Sequence, residues 1–167
     1  MMLDSAVYPG TFDPITRGHL NILARTAALF PVVHVLIAVN PRKRGLFTPE
    51  EREEMVEEAV AECLEPAVAA RVKIHRHDGL LAYWMRERDV RVIVRGLRAV
   101  SDYEYELQMS LMNRQLHPEC ETLFLVADPK WSFVSSALVC EVASLGGDVS
   151  CHLPSCLVER VVARARG

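Results

Sequence analysis

Short apolar runs alternate with amphipathic segments along this chain of 167 residues. Runs rich in β-branched residues end at "AVY" (6–8) and recur at 32–39, 71–75, 91–96 and 122–127. The second and fifth runs are almost continuously apolar, which is typical of strands buried on both faces. The pattern therefore predicts five strands, two of them covered on both sides.

The segments between these runs read as helices. Residues 19–30 carry an apolar stripe at helical spacing. Thr48 and Glu51 flank Pro49 as in a capping box, which predicts a helix over 48–63. Ser101 and Glu104 predict a second capping box. Further helices are expected over 80–88, over 134–145 with a glycine pair ending it, and after Pro154.

The helix that begins near Ser101 has two faces in its sequence. Its apolar stripe consists of Tyr105, Met109, Met112 and Leu116. Its polar stripe consists of Tyr103, Glu106, Ser110, Asn113 and His117. Because methionine packs well in cores and interfaces, we expect the apolar stripe to serve core or subunit packing.

The alternation of strands and helices predicts the fold. A strand followed by a helix, repeated about five times, indicates a parallel sheet with right-handed crossovers. We predict an α/β, Rossmann-like, doubly wound five-stranded parallel sheet with helices on both faces. One domain should span 1–167, with a C-terminal helix at about 154–166 that packs on it or caps it. Ligands of such folds bind beyond the carboxyl ends of the strands.

Polar loops follow the predicted strands at that edge. They read "PGTFDPITRGH", "NPRKRGLF", "RGLRAVSDYEYE" and "DPKWSFVSSA". Gly10 and Gly18 allow close approach of the backbone to a ligand. The side chains that can donate hydrogen bonds or carry positive charge are Thr11, Thr16, His19, Lys43, Arg95, Arg98, Ser135 and Ser136. Donors and cations gathered at one edge predict a polyanionic ligand with more than one phosphate.

Each of these signals has a plainer interpretation. A histidine in a first helical turn is more often packed than catalytic, and the cluster at 42–44 reads as a solvated loop. Paired serines before a helix are most often an N-cap. Arg95 and Arg98 could pair with Glu104 or Glu106 on the surface. The functional interpretation rests on the coincidence of four weak signals at one sheet edge.

Composition and missing motifs narrow the function classes. The net charge is −3, which leaves no global basic field for nucleic acid, and no apolar run reaches the length of a membrane span. The five cysteines form no C-x-x-C pair, which favours reduced thiols, no structural metal and a cytoplasmic protein. The P-loop, dinucleotide and nucleophile-elbow motifs are all absent from the sequence.

The motifs at the sheet edge resemble a known family. "TRGH" (16–19) fits the T-x-G-H signature of nucleotidylyltransferases, and "VSSA" (134–137) lies where that superfamily has its second signature. Together with "YPGTFDPITRGH", "FTPEER", "RGLRAVSDYEYE", "MNRQL" and "WSFVSS", they resemble bacterial phosphopantetheine adenylyltransferases. The similarity runs in family order from Tyr8 to about Leu153.

The resemblance implies a reaction and its partners. The family joins ATP and 4′-phosphopantetheine, releasing pyrophosphate and dephospho-coenzyme A in the penultimate step of coenzyme A synthesis. Mg²⁺ is the implied cofactor, held mainly by substrate oxygens and water rather than by protein side chains. The resemblance also implies a homohexamer, built as a dimer of trimers, and names coenzyme A as a candidate feedback ligand.

The resemblance also implies roles for individual residues. His19 stabilises the transition state, with Lys43 and Arg95 as further catalytic cations. Phosphopantetheine contacts are implied for Thr11, Lys43, Leu81 and Arg95. ATP contacts are implied for Thr11, Phe12, His19, Gly96, Leu97, Arg98, Glu106, Trp131, Ser132, Phe133, Val134, Ser135, Ser136 and Ala137. Ala137 replaces a hydroxyl residue usual in the family, so we expect at most modestly weaker ATP binding.

Three alternatives accompany this interpretation. Another T-x-G-H enzyme, such as a nicotinate mononucleotide adenylyltransferase, is disfavoured by "RGLRAVSDYEYE". A non-enzymatic nucleotide-binding module would have no need of both His19 and Lys43. A doubly wound flavin or redox module would have a first loop without T-x-G-H.

Overall fold

A computed structural model describes residues 4–40 and 44–167 of the chain, apart from the side chain of Ser101. The predicted site residue Lys43 lies outside the described residues. The strands are β1 (Ser5–Gly10), β2 (Val32–Ala38), β3 (Val72–His77), β4 (Val92–Leu97) and β5 (Glu121–Val126). The helices are α1 (Arg17–Leu29), α2 (Pro49–Cys63), α3 (Pro66–Ala69), α4 (Leu81–Glu87), α5 (Val100–Leu116), α6 (Ser136–Ser144) and α7 (Ser155–Arg166).

The strands form one sheet in the order β3-β2-β1-β4-β5, and every pairing is parallel. This confirms the predicted doubly wound fold and its single domain. The chain builds outward from β1 to β3, then crosses back to β4 beside β1. The order reverses between β1 and β4, and ligands of doubly wound folds bind at such a point.

Helices cover both faces of the sheet, as predicted, but β5 is an edge strand whose residues are exposed or half-buried, so its predicted burial on both faces is wrong. One face packs Val33, Val35 and Ile37 against residues of α1, α2, α6 and α7. The opposite face is smaller and buries Val7, Leu36 and Ile93 against Trp84 and Met85 of α4. Alternate residues of β2 thus enter different cores, which explains its almost continuous apolar sequence.

The start of α2 follows the predicted capping box. The Thr48 hydroxyl accepts from the Glu51 N–H, while the Glu51 carboxylate accepts from the Thr48 N–H at 2.8 Å. Pro49 occupies the first helical position, where its missing N–H costs nothing. The local sequence therefore suffices to place this helix.

The predicted capping box at the start of α5 is wrong. The N-cap is Ala99, and no side chain caps the helix there. The Asp102 carboxylate accepts instead from the Arg98 backbone N–H, at 3.2 Å. Since the helix already begins at Val100, the Ser101 and Glu104 positions lie inside its first turns rather than at its cap.

The remaining helix boundaries differ only slightly from the predictions. The helix predicted over 134–145 begins later, at Ser136, and Gly146 follows its end with a φ of 87°. The short α3 and a 3₁₀ turn over Pro129–Trp131 were not predicted. Helix α7 buries Leu157 and Val161 in the larger core. No helix among the described residues is both long enough and apolar enough to cross a bilayer.

Candidate active site

The site lies where β1 and β4 separate. Their ladder registers Val7 with Ile93, whereas β1 and β2 stay paired from Ser5 to Gly10. Beyond that point the Arg95 guanidinium donates to the Pro9 carbonyl and bridges the two strands. A side chain thus replaces a main-chain ladder at the switch point and leaves space for a ligand.

Two cavities open at this gap and share one wall. The first has a volume of about 530 Å³ and adds His19, Arg98 and the start of α6 to that wall. The second has a volume of about 440 Å³ and extends along α5 and the start of α4. The shared wall consists of Pro9, Gly10, Thr11, Arg95, Tyr105 and Glu106. The site is therefore one cleft with two compartments.

His19 is held by the start of its own helix. It is the third residue of α1, and its Nδ1 accepts from the Thr16 backbone N–H at 3.0 Å. The Thr16 hydroxyl in turn accepts from the His19 N–H at 3.3 Å. An Nδ1 that accepts carries no proton, so the neutral ring bears its hydrogen on Nε2. The T-x-G-H signature is thus a capping box with histidine in the place of glutamate.

The His19 ring remains neutral at physiological pH. Burial, followed by the nearby Arg98 and Arg95 guanidinium groups, lowers the pKa of His19 to about 4. A neutral imidazole with its proton on Nε2 is a hydrogen-bond donor. His19 lines the first cavity, so this donor is available to a ligand there.

Arg95 is paired across the cleft with Glu106. Its Nε donates to Glu106 Oε2 at 2.7 Å, and its Nη2 donates to Oε1. The bond to Pro9 uses one more N–H, so three of the five N–H donors of Arg95 are occupied. This bidentate pair fixes the guanidinium in the wall between the two compartments and leaves two donors for a ligand.

Arg98 links the start of α5 to the start of α6. Its Nε donates to Asp102 Oδ2 at 3.0 Å, and its Nη1 donates to the Val134 carbonyl at 3.2 Å. The ion pair that the sequence suggested between Arg95 and Glu106 is therefore confirmed. Arg98 pairs with Asp102 rather than with Glu104 or Glu106. Both arginines nevertheless line the first cavity.

The paired serines anchor the start of α6 at this cavity. Ser135 is the N-cap and accepts from the Leu138 N–H at 3.1 Å. The Ser136 hydroxyl donates to the Pro14 carbonyl at 2.7 Å. The N-cap interpretation is thus confirmed for Ser135, and Ser136 fastens α6 to the first loop.

The second compartment is lined along one side by α5. Glu106, Met109, Ser110, Asn113 and Leu116 contribute to its wall. Each lies three or four residues from another member of the group, so they share one helix face. That face combines members of both predicted stripes, and the second compartment as a whole is more apolar than the first.

The apolar α5 stripe, expected to serve core or subunit packing, does not pack in the core of the single chain. Tyr105 is 63% exposed and Met112 is 53% exposed. Glu106, Asn113 and His117 are the buried positions instead. The reason is that these polar residues face the sheet while the apolar stripe borders the second compartment, which periodicity alone does not reveal.

Sequence comparison agrees with this geometry. A sequence profile described as cytidylyltransferase-like matches residues 7–142. A Thermotoga neapolitana protein named phosphopantetheine adenylyltransferase is 54% identical over 87% of this chain and 86% of its own length. One of the same name from Heliobacterium modesticaldum is 47% identical over 95% of this chain and 91% of its own length. The chain belongs to the phosphopantetheine adenylyltransferase family.

The fold is shared more widely than this family. The solved nicotinic acid mononucleotide adenylyltransferase of Plasmodium falciparum superposes with a TM-score of 0.68 over 95% of this chain and 94% of that one. Its sequence identity is 12%, so the likeness concerns the fold. Family membership thus rests on the sequence relatives, and the architecture rests on both.

The cleft gathers most residues that the phosphopantetheine adenylyltransferase resemblance named. The first compartment is lined by Thr11, Phe12, His19, Arg95, Gly96, Arg98, Glu106, Val134, Ser135 and Ser136. Leu81 lines the second, together with Thr11, Arg95 and Glu106. Five predicted residues lie outside both linings, namely Leu97, Trp131, Ser132, Phe133 and Ala137.

Several residues of the cleft were not predicted from the sequence. Tyr8 and Asp102 line the first compartment, and Asn113 lines the second. Asp102 follows Arg98 by four residues, a spacing that suggests an ion pair. Asn113 follows Glu106 by seven residues, so the helical period could have placed both at one cavity.

Gly10 has a structural explanation besides the predicted approach to a ligand. A Cβ built on Gly10 would lie 2.8 Å from Cζ of the Phe12 ring. Phe12 is buried and adopts a φ of 49°, a conformation that is strained for a bulky residue. The absence of a side chain at Gly10 therefore leaves room for the buried Phe12 ring.

The described residues contain no cluster of three His, Cys, Asp or Glu side chains that could hold a metal ion. Both Asp13 carboxylate oxygens accept backbone N–H groups, from Leu46 at 2.8 Å and Phe47 at 2.9 Å. Asp128 accepts from the Lys130 N–H. All five cysteines are free thiols, as predicted.

Proposed function

We propose that this chain transfers the adenylyl group of ATP to 4′-phosphopantetheine, forming dephospho-coenzyme A and pyrophosphate. The observation that carries the proposal is the two-compartment cleft in a chain whose relatives bear this enzyme's name. The donor-lined compartment suits a triphosphate. The smaller, more apolar compartment suits the pantetheine arm, and the shared wall would lie at the reacting groups.

The chemistry requires no covalent enzyme intermediate. A phosphate oxygen of phosphopantetheine attacks the α-phosphorus of ATP in line, and the bond from that phosphorus to the bridging oxygen breaks. The electron pair leaves with pyrophosphate. Since a phosphate monoester is already an anionic nucleophile at neutral pH, no general base is needed. Catalysis then consists of positioning and electrostatic stabilisation.

His19 is proposed to stabilise the transition state. Its Nε2–H would donate to an α-phosphate oxygen, where charge increases as the leaving bond breaks. The capping box fixes both the orientation of the ring and its tautomer before the substrates bind. A preorganised donor of this kind needs no reorientation during the reaction.

Cations offset the repulsion between the two substrates. Two unit charges about 4 Å apart repel by roughly 4 kcal/mol at an effective dielectric constant of about 20. We assign this role to Arg95 and Arg98 in the first compartment, and to Lys43 by its place in the family motif. ATP is proposed to bind as its Mg²⁺ complex, in which phosphate oxygens and water hold the ion.

One assay tests the reaction. Pyrophosphate release from MgATP is measured with 4′-phosphopantetheine, with nicotinate mononucleotide and without acceptor. We expect release with phosphopantetheine alone. Release with nicotinate mononucleotide would instead assign the chain to the other adenylyltransferase, and binding of ATP without release to any acceptor would indicate a nucleotide-binding module.

We also propose that the chain works as a homohexamer, a dimer of trimers. The support is the apolar surface of α5 outside the cleft, where Leu111 is 59% exposed and Leu107 is 37% exposed and neither lines a compartment. Burial of such side chains against another copy would remove apolar surface from water. Light scattering should give six times the mass of the chain, and a monomer would overturn the proposal.

A further inference from the structure

Arg52 is a buried cation whose hydrogen bonds go to backbone carbonyls. It lies in the first turns of α2 and is 6% exposed. Its Nη1 donates to the Thr11 carbonyl at 2.9 Å and lies 3.4 Å from the Ala38 carbonyl. Its Nε also donates to the Thr48 carbonyl, at 3.4 Å.

No carboxylate in the described part of the chain forms an ion pair with Arg52. Neighbouring glutamates of α2 pair elsewhere: Glu51 with Arg164, and Glu58 with Arg160. A guanidinium cannot lose its proton, so its charge stays buried. The start of a helix is also an unfavourable place for a cation. Stability alone therefore gives little reason for an arginine here.

The bond to Thr11 determines how one peptide group is oriented. The Thr11–Phe12 peptide is trans, so its carbonyl and its N–H point in opposite directions. Because Arg52 holds the carbonyl, the Phe12 N–H points away from α2. No hydrogen bond between described residues uses that N–H. A free backbone donor therefore remains beside Thr11, in the loop that lines both compartments.

The first loop needs such support because its backbone is strained. Phe12 has a φ of 49°, which costs energy and persists only where neighbours enforce it. Arg52 also reaches the Ala38 carbonyl, at the end of β2. One side chain thus ties the first loop to the end of the adjacent strand.

We propose that Arg52 is a positioning residue for adenylyl transfer. By holding the Thr11 carbonyl, it directs the Phe12 N–H and the Thr11 side chain toward a substrate phosphate. The inference rests on the proposed function, which supplies the phosphates. Arg52 itself lines neither compartment, so it acts through the first loop.

Two substitutions test this role. Arg52→Lys keeps the charge but lacks the planar fork whose Nε and Nη1 reach the Thr48 and Thr11 carbonyls together. Arg52→Gln removes the buried charge and keeps one donor, so we expect its melting temperature to match or exceed that of the wild type. The matched control is Arg160→Gln, since Arg160 also contacts α2, through Glu58 at 2.7 Å, and lies outside the cleft.

We expect both Arg52 variants to lower kcat by about 10–100-fold, the loss typical of a misplaced catalytic contact. The KM for each substrate should stay within about three-fold of the wild type, because the other donors of the cleft still hold the bound substrates and the Phe12 contact strengthens in the transition state. Arg160→Gln should keep the wild-type kcat. A purely structural Arg52 would give the reverse: a lower melting temperature, with normal kcat for the folded fraction. That result would overturn the proposal.

A second readout does not depend on turnover. Amide hydrogen exchange of Phe12 is followed with and without MgATP. MgATP should slow this exchange in the wild type and leave it unchanged in Arg52→Gln. Equal slowing in both proteins would overturn the positioning role. If the wild type releases no pyrophosphate, the proposed function fails, while the exchange experiment still decides about Arg52.

Discussion

Two helices of this protein begin with the same device and use it differently. In α1 the Thr16 N–H donates to the side chain of His19, at 3.0 Å. In α2 the Thr48 N–H donates to the side chain of Glu51, at 2.8 Å. In both helices the threonine hydroxyl accepts from the backbone N–H three residues later. Locally, the two helix starts are equivalent.

The two helix starts differ in the contacts of the third helical residue, whose side chain has a second polar atom besides the one that caps the helix. The second oxygen of Glu51 pairs with Arg164 and so fastens α2 to α7. No hydrogen bond between described residues uses the Nε2 of His19, and His19 lines the cavity between β1 and β4. A capping box can thus also orient a side chain that lines a ligand site, provided that the side chain has a second polar atom.

The largest expected effect comes from His19→Ala. It removes the proposed transition-state donor, so kcat should fall by about 10²–10³-fold, the cost of losing one preorganised donor. The KM for ATP should change much less, because other groups hold the ground state. Pyrophosphate release under saturating substrates measures the effect. A kcat equal to that of the wild type would remove His19 from the transition state.

His19→Gln separates the cap from the chemistry. Glutamine is an ordinary partner in a capping box, so the start of α1 should remain intact. Its amide presents a donor in a different position, and kcat should fall by about ten-fold, less than in His19→Ala. The two variants are compared by kcat and by melting temperature. Full wild-type kcat in the glutamine variant would mean that the cap alone matters.

Glu51→Ala is the matching change in α2. The loss of the cap should lower the free energy of unfolding by about 1 kcal/mol. Since Glu51 faces α7 rather than the cleft, kcat should stay at the wild-type value. Urea unfolding gives the stability, and pyrophosphate release gives the rate. A large fall in kcat with normal stability would contradict the division between the two helix starts.

The smallest expected effect concerns acid stability. Burial, with Arg98 and Arg95, lowers the pKa of His19 from 6.5 to about 4, so its neutral form is favoured in the folded state. Its stabilising contribution is complete above pH 6.5 and is lost as the pH falls toward 4. The hydrogen bond from Arg164 lowers the pKa of Glu51 below 4.5, so its contribution is lost only under more acidic conditions.

The two cap variants should therefore differ from the wild type in different pH ranges. By about pH 5.5, His19→Gln should have lost less stability than the wild type, by about 1 kcal/mol. Glu51→Gln should differ in its pH dependence only below about pH 4.5. Urea unfolding at several pH values measures both. Burial and the neighbouring His75 also lower the pKa of His34. His34 is present in both variants and in the wild type, so its contribution cancels from the comparison.

Much of the fold could be predicted from local signals. The Thr48 cap, the glycine pair after α6 and the apolar run of β2 each depend on a few adjacent residues. The start of α5 could not be predicted in this way. The Asp102 carboxylate binds the backbone and side chain of Arg98, in the segment that connects β4 to α5, and no residue at the N-cap position marks the helix start. The surroundings of the two α5 stripes could not be predicted either, since periodicity gives the faces of a helix but not what each face contacts.

The candidate site shows the same division. Strand ends and family motifs pointed to His19, Arg95 and Arg98, and the cleft brings them together. The role of Lys43 stays a prediction from the motif. Arg52 carried no signal of its own in the sequence, because its partners are backbone carbonyls of Thr11 and Ala38. Every residue has a backbone carbonyl, so the residue types at 11 and 38 do not indicate that Arg52 binds there.

The sequence by itself determined the order and type of the elements, the capping of α2, and the family of the chain. These depend on periodicity and on neighbouring residues, which the sequence displays directly. The tertiary structure alone decided that Arg95 meets Glu106, that Arg52 holds the first loop, and that α5 turns its polar side inward. Those contacts join residues far apart in the chain, and only the packing of helices on the sheet sets their distance and direction.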